Sequence, residues 1–413
     1  MPRIEGSNHS TSGSRPMFAL AGVLAAFALT TVLLAWAPGT ASAQALTCGA
    51  VITHDTTLEN DLTDCPGDGL VIGADGVTLD LNGHLVAGSP CDTGCATDTG
   101  IDNTGGYDQV RIVNGTVQGF EQLIGLVGAH ENTLAGLTVG GFPVSTSFIG
   151  ISLSHSHDNA LERITAAGGA PAVSLSASDR NTITDSSIDG GVSIRVGRSI
   201  TLADGSDANQ IERSRLDGEE GAAIYDSTDN RLVRNRINGG SDAVGLAGAH
   251  RTVIGHNTLT SSGNGAITLV MYSDSDENVI RDNDMPSNGM WIRGDHNEIV
   301  RNDAVGRFPF YDQSVIEVFA GAGNVLLSNR ARGGADDIAV RANATGTLVQ
   351  GNVVTAAEDD GIDVDAPGTV VRANSADDNG DLGIEAAEGV IDGGGNRASG
   401  NGNLLQCVNV VCR

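Results

Sequence analysis

The sequence predicts an all-β right-handed parallel β-helix, a solenoid of roughly 12 coils over residues 69–403. A motif of the form Asn-x-Ile/Leu/Val-x-x-Asn recurs at intervals of about 22 residues. Short β-branched runs bounded by Gly, Asn and Asp separate its copies. No ten-residue helical pattern lies between them, which excludes helical repeats and alternating β-α-β folds. One short supersecondary unit per repeat, stacked along an axis, is the architecture that fits all three observations.

The repeat motif sets the phase of each coil. Its clearest copies are NRLVRN at 230–235, NVIRDN at 278–283, NEIVRN at 297–302 and NVLLSN at 324–329. The closing Asn falls at 235, 257, 283, 302, 329, 352, 374 and 396, in steps of 22, 26, 19, 27, 23, 22 and 22. Asn tolerates the left-handed backbone of a tight corner, and its side-chain amide can bond the same position in the next coil. We therefore predict that these Asn residues stack at one corner.

The chain begins with an export signal. Residues 17–36 are apolar, Arg15 precedes them, and Ala41-Ser42-Ala43 has the small-x-small pattern of a cleavage site. An uncleaved membrane anchor is the alternative, because the run is long enough to cross a bilayer. We predict a signal peptide at 1–43, an N-terminal cap at 44–68 and a C-terminal cap at 404–413. The protein is then secreted or otherwise extracytoplasmic.

All six cysteines lie near the two ends of the repeat region. They fall as Cys48 with Cys65, Cys91 with Cys95, and Cys407 with Cys412. An exported chain with an even number of cysteines favours local disulfides. A metal site is the alternative, but no His lies beside these cysteines at ligand spacing. Disulfides that hold the end segments explain the positions without any chemistry.

The charge of the chain limits its partners. It carries 51 Asp and Glu against 23 basic residues, for a net charge of -28, and every basic residue is Arg. Nucleic acids and anionic lipids bind to clusters of Lys and Arg side chains, so neither is expected as a partner. The absence of Lys also excludes Schiff-base chemistry and a phosphate-binding-loop lysine.

The repeats resemble a known superfamily. VTLDLNGHLVAG at 77–88, the Asn-bounded units and the GI-x-V strand starts are similar to right-handed parallel β-helix repeat proteins, both pectate-lyase-like and NosD-like. The resemblance implies the β-helix fold and a polysaccharide as partner, since the superfamily includes polysaccharide lyases, glycoside hydrolases, uronan epimerases and phage tailspikes. It does not imply one reaction. The GHG, NTD and RIK motifs of polygalacturonases and the DPHE-type signature of alginate epimerases are absent.

Scattered histidines occupy a repeated turn position. The position two places before the motif holds His or Asp in successive repeats, and His296 lies one place before it; the other members are His130, His157, Asp179, Asp207, His250 and Asp276. We predict a solvent-facing structural position. Only His155 and His157, with Asp158 beside them, have a spacing that could share a metal.

The predicted site is an outward-facing column on one sheet. In GIDVD at 361–365 the apolar Ile362 and Val364 point inward, so their neighbours Asp363 and Asp365 point outward. The same alternation gives a column of Tyr225, Thr268, Tyr272, Trp291, Arg293, Glu317, Phe319, Arg341, Asp363, Asp365 and Glu385. We predict substrate binding by Tyr272, Trp291, Arg293, Phe319, Asp365 and Glu385, because aromatic planes stack on sugars while Arg and carboxylates bond hydroxyls and uronates. The aromatic insertion RFPFYDQ at 307–313 is expected to form a wall beside this column.

Coil spacing suggests which residues perform catalysis. Glu317 and Asp363 are predicted to lie two coils apart, roughly 9.5 Å, which is the upper end of the separation in inverting glycosidases. Arg341 lies between them as a third catalytic residue. Asp363 and Glu385 would be one coil apart, which is nearer the separation of the two carboxyl groups in retaining glycosidases. Alternatively, Ca²⁺ could be held by several of these carboxylates, namely Asp360, Asp363, Asp365 and Glu385.

Three functions fit the sequence. The first is an exported protein that binds, cleaves or modifies a polysaccharide on the outer face of one sheet, as a lyase or a hydrolase if it is an enzyme. The second is a non-enzymatic acidic rod at the cell surface. The third is a NosD-like periplasmic accessory protein involved with metal, which would need the Met, His and Cys ligands that are sparse here.

Overall fold

The computed structural model describes residues 46–89, 98–140, 149–191, 197–263, 266–272, 274–306 and 313–413. They form a right-handed parallel β-helix of about 15 coils, and none of these residues lies in a helix. The roughly 12 coils predicted for residues 69–403 are too few, and the end segments are themselves coils. Ala50–Ile52 pairs in parallel with Leu70–Ile72, and Cys407–Val408 pairs with Ile384–Ala386. Within the described ranges we find no helix with the length and apolarity of a membrane span.

Each coil contributes one strand to each of three parallel sheets, named here A, B and C in chain order. The strands of sheet A are Ala50–Ile52, Leu70–Ile72, Thr99–Asn103, Gln122–Val127, Ile149–Ser154, Val173–Ser176, Arg198–Ala203, the second halves of Arg215–Tyr225 and Arg236–Ala247, Leu269–Met271, Met290–Ile292, Ile316–Val318, Ile338–Val340, Ile362–Val364, Ile384–Ala386 and Cys407–Val408.

Sheets B and C follow in each coil. The strands of sheet B are Thr56–Thr57, Thr78–Asp80, the first halves of Arg111–Gln118 and Thr133–Gly140, Ala160–Glu162, Thr182–Thr184, Gln210–Glu212, Arg231–Val233, Val253–Gly255, Val279–Arg281, Glu298–Val300, Val325–Leu327, Leu348–Gln350, Val370–Arg372 and Ile391–Gly394. The strands of sheet C are Leu62–Cys65, Leu85–Gly88, the second halves of Arg111–Gln118 and Thr133–Gly140, Thr165–Ala167, Ser187–Asp189, the first halves of Arg215–Tyr225 and Arg236–Ala247, Thr258–Ser261, Asp284–Met285, Asp303–Val305, Arg330–Arg332, Val353–Thr355, Ser375–Asp377 and Arg397–Ser399. A separate pair, Gly321–Ala322 with Ala344–Thr345, lies between sheets A and B in the chain.

The core is a continuous aliphatic column inside the three sheets. Ile292, Val318, Val340 and Val364 are register partners on successive coils of sheet A, and all four are fully buried. Their neighbours along each strand point outward, as the alternation predicted. Side chains therefore keep one position relative to the axis from coil to coil, and this creates the outer columns described below.

The Asn ladder stands at one corner, between sheets B and C. The backbone N–H of Asn302 donates to Oδ1 of Asn329 at 2.9 Å, and the same contact links every neighbouring pair from Asn235 to Asn396. The Nδ2 group of Asn302 donates to the carbonyl of Ile280 at 2.8 Å. The stacking prediction is confirmed, but the prediction of a left-handed backbone at Asn is wrong. Positive φ belongs to the residue before the ladder, such as Arg301 at 53°, which frees the Asn side chain to point inward.

The His and Asp residues before sheet B form a structural ladder of their own. Nδ1 of His130 accepts the backbone N–H of His157 at 3.1 Å, and Nδ1 of His157 accepts that of Asp179 at 2.9 Å. The two imidazole rings are stacked with centroids 5.1 Å apart. Asp158 was suggested as a metal ligand together with His155 and His157. It instead forms a bidentate ion pair with Arg180. These groups hold consecutive turns in register.

Disulfides are present at both ends of the solenoid. Cys48 bonds Cys65, and Cys407 bonds Cys412, as predicted. The first joins the start of the first coil to its sheet C strand, and the second closes the last coil. The predicted Cys91–Cys95 pair and the predicted signal peptide at 1–43 lie outside the described residues.

Candidate functional site

The register of sheet A places the predicted acids on one outer column. Glu317, Ala339, Asp363 and Glu385 are partners on successive coils, and Trp291 precedes Glu317 by one coil. Glu317 and Asp363 are thus two coils apart. The intervening Ala339 has no side chain beyond Cβ, which leaves room for a long side chain to lie between them. We name this line of residues the central column.

Arg341 occupies that space. It follows Ala339 by two residues, on the next outward position of the strand. Its Nε donates to Oε1 of Glu317 at 2.8 Å, and its Nη1 donates to Oδ2 of Asp363 at 2.8 Å. Nη2 donates to Oγ of Ser314 at 3.2 Å. The guanidinium therefore joins three consecutive coils, and the side chains of Glu317 and Asp363 are only 10% and 18% exposed.

More carboxylates surround this arginine than the central column alone supplies. Oδ2 of Asp336 lies 3.6 Å from Nη2, and Oδ2 of Asp365 lies 3.9 Å from Nη1. Burial, with the like charges of Asp365 and Asp336, raises the pKa of Asp363 to about 7 despite the ion pair with Arg341. A carboxylic acid that holds its proton near neutral pH beside an arginine-bound carboxylate is an arrangement suited to acid–base chemistry.

Two further pairs of acids, Asp336-Asp337 and Asp359-Asp360, belong to this group. Sequence reasoning connected only Asp360 with the column, as a possible Ca²⁺ ligand. Asp337 directly precedes the strand Ile338–Val340, and Asp360 lies two residues before Ile362–Val364. Both are buried, which raises the pKa of Asp337 to about 7 and that of Asp360 to about 8. A hydrogen bond from Asp360 to Glu385 adds to the second shift. Their common position just before a sheet A strand is the signal that could have identified them.

One set of acids has the spacing of cation ligands. Carboxylate oxygens of Asp336, Asp359 and Asp360 lie within 4.8 Å of one another. Hard cations such as Ca²⁺ prefer oxygen ligands of this kind. Of the Ca²⁺ ligands suggested by the sequence, only Asp360 is in this set, while Asp363 is engaged by Arg341 and Glu385 by Asp360.

Aromatic residues continue the face on the preceding coils. Trp291 is partly buried on the central column, and its indole Nε1–H has no acceptor within the described parts of the chain. Phe319, which is 40% exposed, lies under the guanidinium of Arg293 at 4.4 Å from the ring centroid. Arg293, Phe319, Arg341 and Asp365 make up the second outward column, beside the central one.

A second acidic centre lies further towards the N-terminus on sheet A. Nε of Arg198 donates to Oε2 of Glu220 at 2.6 Å, and the Tyr225 hydroxyl donates to the same carboxylate at 3.2 Å. The guanidinium also lies 5.2 Å from the Tyr225 ring centroid. Glu220 is the register partner of both Arg198 and Asp242, so three coils meet here. Sequence reasoning named only Tyr225 of this group.

Tyr272 completes the second centre. Its hydroxyl donates to Oδ2 of Asp242 at 3.4 Å, and its ring is 41% exposed. Burial and the neighbouring Glu220 charge raise the pKa of Asp242 to about 6. Gly245 lets the Glu220 carboxylate lie close to the backbone, since a Cβ at this position would be 2.1 Å from Oε1 and would displace the Glu220 side chain. Both aromatic rings and acids therefore occur along the outer face of sheet A between Arg198 and Glu385.

The prediction does not hold for Thr268, and it cannot be compared with the structure for most of the aromatic insertion. Thr268 does not face outward: it is fully buried, with its hydroxyl bonded to Ser261 and to the Ser287 carbonyl. It precedes the strand Leu269–Met271, where the chain turns inward before the alternation begins. Within the aromatic insertion at 307–313, residues 307–312 lie outside the described residues.

Comparisons with known proteins found one family model that matches and several solved structures of low similarity. The family model described as "Periplasmic copper-binding protein (NosD)" matches residues 131–314, less than half of the chain. Among solved structures, the periplasmic alginate epimerase AlgG is 12% identical, with a TM-score of 0.43, over 72% of this chain and 77% of the epimerase. DFA-IIIase from Arthrobacter chlorophenolicus is 14% identical, with a TM-score of 0.39, over 79% of this chain and 84% of that enzyme. The Dettilon tailspike protein is 14% identical, with a TM-score of 0.34, over 89% and 61% of the two chains. No curated protein sequence matches the chain.

Proposed function

We propose that this protein is an extracytoplasmic polysaccharide-binding enzyme that cleaves glycosidic bonds at the Arg341 centre. The observation that carries the proposal is the bridge made by Arg341 between Glu317 and Asp363, two acids from different coils that meet on one outer face. Most glycoside hydrolases use a pair of carboxyl groups that flank the glycosidic bond to be cleaved.

The two acids are assigned different roles. Asp363, with a pKa raised to about 7, donates its proton to the glycosidic oxygen as the bond to the anomeric carbon breaks. Glu317 accepts a proton from the water that attacks this carbon, so one proton leaves Asp363 and one arrives at Glu317. Their backbones are two strand spacings apart, about 9.6 Å, and convergence on one guanidinium brings the carboxyl groups nearer. This favours hydrolysis with inversion of the anomeric configuration, for which the two carboxyl groups are ~6.5–9.5 Å apart.

Arg341 acts as a positioning residue. Nε, Nη1 and Nη2 each have a partner in Glu317, Asp363 or Ser314, so its donors are largely engaged. This disfavours a role in holding a substrate carboxylate, as β-elimination of a uronate would require. Substrate recognition then belongs to the neighbouring face, where Trp291, Phe319 and Tyr272 offer ring surfaces.

The column is long enough for an extended chain of sugars. From Tyr225 to Asp365 the second outward column passes through six coil steps, about 29 Å at strand spacing. The aromatic and acidic side chains along this length would contact several sugar units. The disulfides at both ends fit a protein that works in an oxidising compartment.

The alternative is a non-enzymatic acidic rod. It is favoured by the same bridge, because Arg341 could simply neutralise acids that repel one another across coils. A cation at Asp336, Asp359 and Asp360 would serve that structural purpose as well.

Reducing-end release distinguishes the two functions. The purified protein is incubated with a panel of neutral and acidic polysaccharides, and new reducing ends and unsaturated uronates are measured. We expect reducing ends without unsaturated products, and loss of activity in Glu317→Gln and Asp363→Asn with retained binding. Asp284→Asn, an exposed acid on sheet C, is the matched control and keeps full activity.

Three outcomes contradict the proposal in different ways. Unsaturated products would identify a lyase, and equal activity in Asp363→Asn and the control would remove the assigned acid. Absence of both binding and turnover across the panel would favour the rod. Metal analysis of the same preparation, and assays with a chelator, test the proposed cation.

A further inference from the structure

A separate cleft lies at the corner between sheets B and C, away from the outer columns of sheet A. It has a volume of about 450 Å³, and five of its lining residues are arginines: Arg163, Arg213, Arg215, Arg234 and Arg236. The chain has only 23 basic residues and a net charge of -28. A concentration of arginines in one cleft therefore runs against the composition of the whole protein.

The repeat geometry brings these arginines together. Arg163, Arg213 and Arg234 occupy the corner position before the ladder, where φ is positive (52°, 51° and 59°). Arg215 and Arg236 are register partners on adjacent strands of sheet C. Strand spacing is about 4.8 Å, so two guanidinium groups start from neighbouring positions. Like charges directly opposite one another across strands are destabilising.

Acidic neighbours neutralise only part of this charge. Arg213 pairs with Asp185 through two bonds of 2.8 and 2.9 Å, and Arg215 pairs with Asp217 in the same way. Arg234 uses only Nη1, which donates to Oε1 of Glu212 at 2.9 Å.

Arg236 is the member with free donors. It is exposed, and no carboxylate lies within 4.0 Å of it in the described ranges. The pairs made by Arg213 and Arg215 hold two guanidinium groups in place beside it. Arg236 and the unused N–H groups of Arg234 are therefore available as donors in the cleft, and guanidinium forks suit carboxylate, sulfate and phosphate oxygens.

Hydroxyl groups extend the same column beyond the arginines. Thr165, Ser187, Arg215 and Arg236 are successive register partners on sheet C, and all four are exposed. A single inorganic anion would use only a fraction of 450 Å³. A larger ligand with both charged groups and hydroxyls would use the guanidinium groups and the hydroxyl column together.

We propose that this arginine cleft is a binding site for an acidic glycan, whose carboxylate or sulfate groups contact Arg236 and Arg234 and whose hydroxyls contact Thr165 and Ser187. The site does not depend on the Arg341 centre or on any catalytic activity. It would give a strongly acidic protein one place at which a polyanion can bind without repulsion.

Calorimetric titration with an acidic oligosaccharide tests the proposal. Oligogalacturonate and a neutral oligosaccharide of equal length are titrated into the full-length protein at low salt, and inorganic sulfate is titrated separately. We expect binding of oligogalacturonate only, weakened by added salt. Arg236→Ala is expected to reduce the affinity at least about tenfold, the effect of removing a charge-assisted hydrogen bond.

A charge-matched variant separates specific binding from general attraction. Arg372→Ala removes the same charge from an exposed arginine of sheet B, whose Nε donates to Oε1 of Gln350 at 2.7 Å. It should bind as the wild type does. Equal affinities in the two arginine variants, or no binding of oligogalacturonate by the wild type, would overturn the proposal. Binding of sulfate at the same affinity would reduce the cleft to a small-anion site and also refute it.

Discussion

Nη1 of Arg341 donates a 2.8 Å hydrogen bond to Oδ2 of Asp363, and yet the pKa of Asp363 is raised to about 7. An arginine at this distance normally lowers the pKa of a carboxyl group. Here burial and the charges of Asp365 and Asp336 outweigh the single guanidinium, which several carboxylates share. The centre therefore holds more negative charge than its arginine can neutralise, and it keeps protons near neutral pH.

The stability of the protein should decrease as the pH rises from 5 to 8. Asp337, Asp360 and Asp363 have raised pKa values of about 7, 8 and 7. The stability linked to these protonated groups is fully present below their ordinary pKa near 4 and is lost as the pH rises through the folded values. Acids with lowered pKa values, such as Asp185 and Asp282, act in the opposite direction and only in the acid range. Melting temperatures measured across this range test the trend.

Asp360→Asn should flatten this pH dependence. The amide keeps an acceptor for the backbone N–H of Leu382, which lies 2.7 Å from Oδ1, and it cannot ionise. At pH 8 we expect the variant to be more stable than the wild type by on the order of 1–3 kcal/mol, with little difference at pH 4. Asp284→Asn should leave the slope of the wild type unchanged. If the stability of Asp360→Asn decreased with pH as steeply as that of the wild type, other groups would be responsible for the proton release.

Arg341→Gln should destabilise the protein by about 3–5 kcal/mol near neutral pH. Its removal leaves Glu317 and Asp363 largely buried without their charge partner. Denaturant unfolding measures the loss, which should shrink at pH 4, where the acids accept protons. Arg341→Lys keeps the positive charge but lacks the forked guanidinium. Its unfolding free energy should therefore lie between those of the wild type and Arg341→Gln. Similar losses in Arg341→Gln and in Arg330→Gln, an exposed arginine of sheet C, would argue against a special role for the bridge.

Trp291→Ala and Phe319→Ala should each weaken glycan binding by ~1–2 kcal/mol, because each removes a ring surface from the outer face. Phe319→Ala also releases Arg293, which stacks on that ring. Affinity electrophoresis or calorimetry with a polysaccharide that binds the wild type gives the measurement. Val127→Ala, an exposed apolar residue at the end of a distant sheet A strand, should have no effect. Losses of the same size in the control would indicate damage to the solenoid.

Asn278→Ala should cost about 2–3 kcal/mol of unfolding free energy. Asn278 is buried just before the sheet B strand Val279–Arg281, where its Oδ1 accepts the backbone N–H of Thr252 and its Nδ2 donates to the carbonyl of Ala249, both at 2.9 Å. Alanine would leave these buried backbone groups without partners. Asn343→Ala, at an exposed turn, should change stability little. A small effect at both positions would show that water replaces the ladder contacts.

Replacing Cys48 and Cys65 with Ser should loosen the first coil and leave the middle of the solenoid folded. Each coil contacts mainly its neighbours, so damage at one end stays local. Loss of a disulfide in a small domain commonly costs ~2–5 kcal/mol, and the remaining coils should limit the effect here. Limited proteolysis should cleave residues 49–64 faster in the variant, whereas replacing Cys407 and Cys412 should expose the opposite end. Unchanged cleavage of 49–64 would contradict a capping role.

Repeat spacing and strand alternation were enough to predict the coil. In a solenoid, repeat phase converts directly into position around the axis, so Asn235 to Asn396 could be assigned to one corner, and Glu317, Asp363 and Glu385 to one column, from spacing and alternation alone. The structural role of the His and Asp residues near 130–276 followed from the same logic. The end segments were underestimated because they lack the Asn motif and yet pair with their neighbouring coils.

The contacts between side chains of different coils could be identified only in three dimensions. Repeat spacing placed Arg341 between Glu317 and Asp363, but it does not reveal that the guanidinium bonds both acids, that Asp336 lies beside it, or that Glu220 faces Asp242. These contacts depend on side-chain length, on small residues at intervening positions and on turns of unequal length. Burial then follows from the neighbours above and below each residue, and through desolvation it sets which carboxyl groups keep a proton.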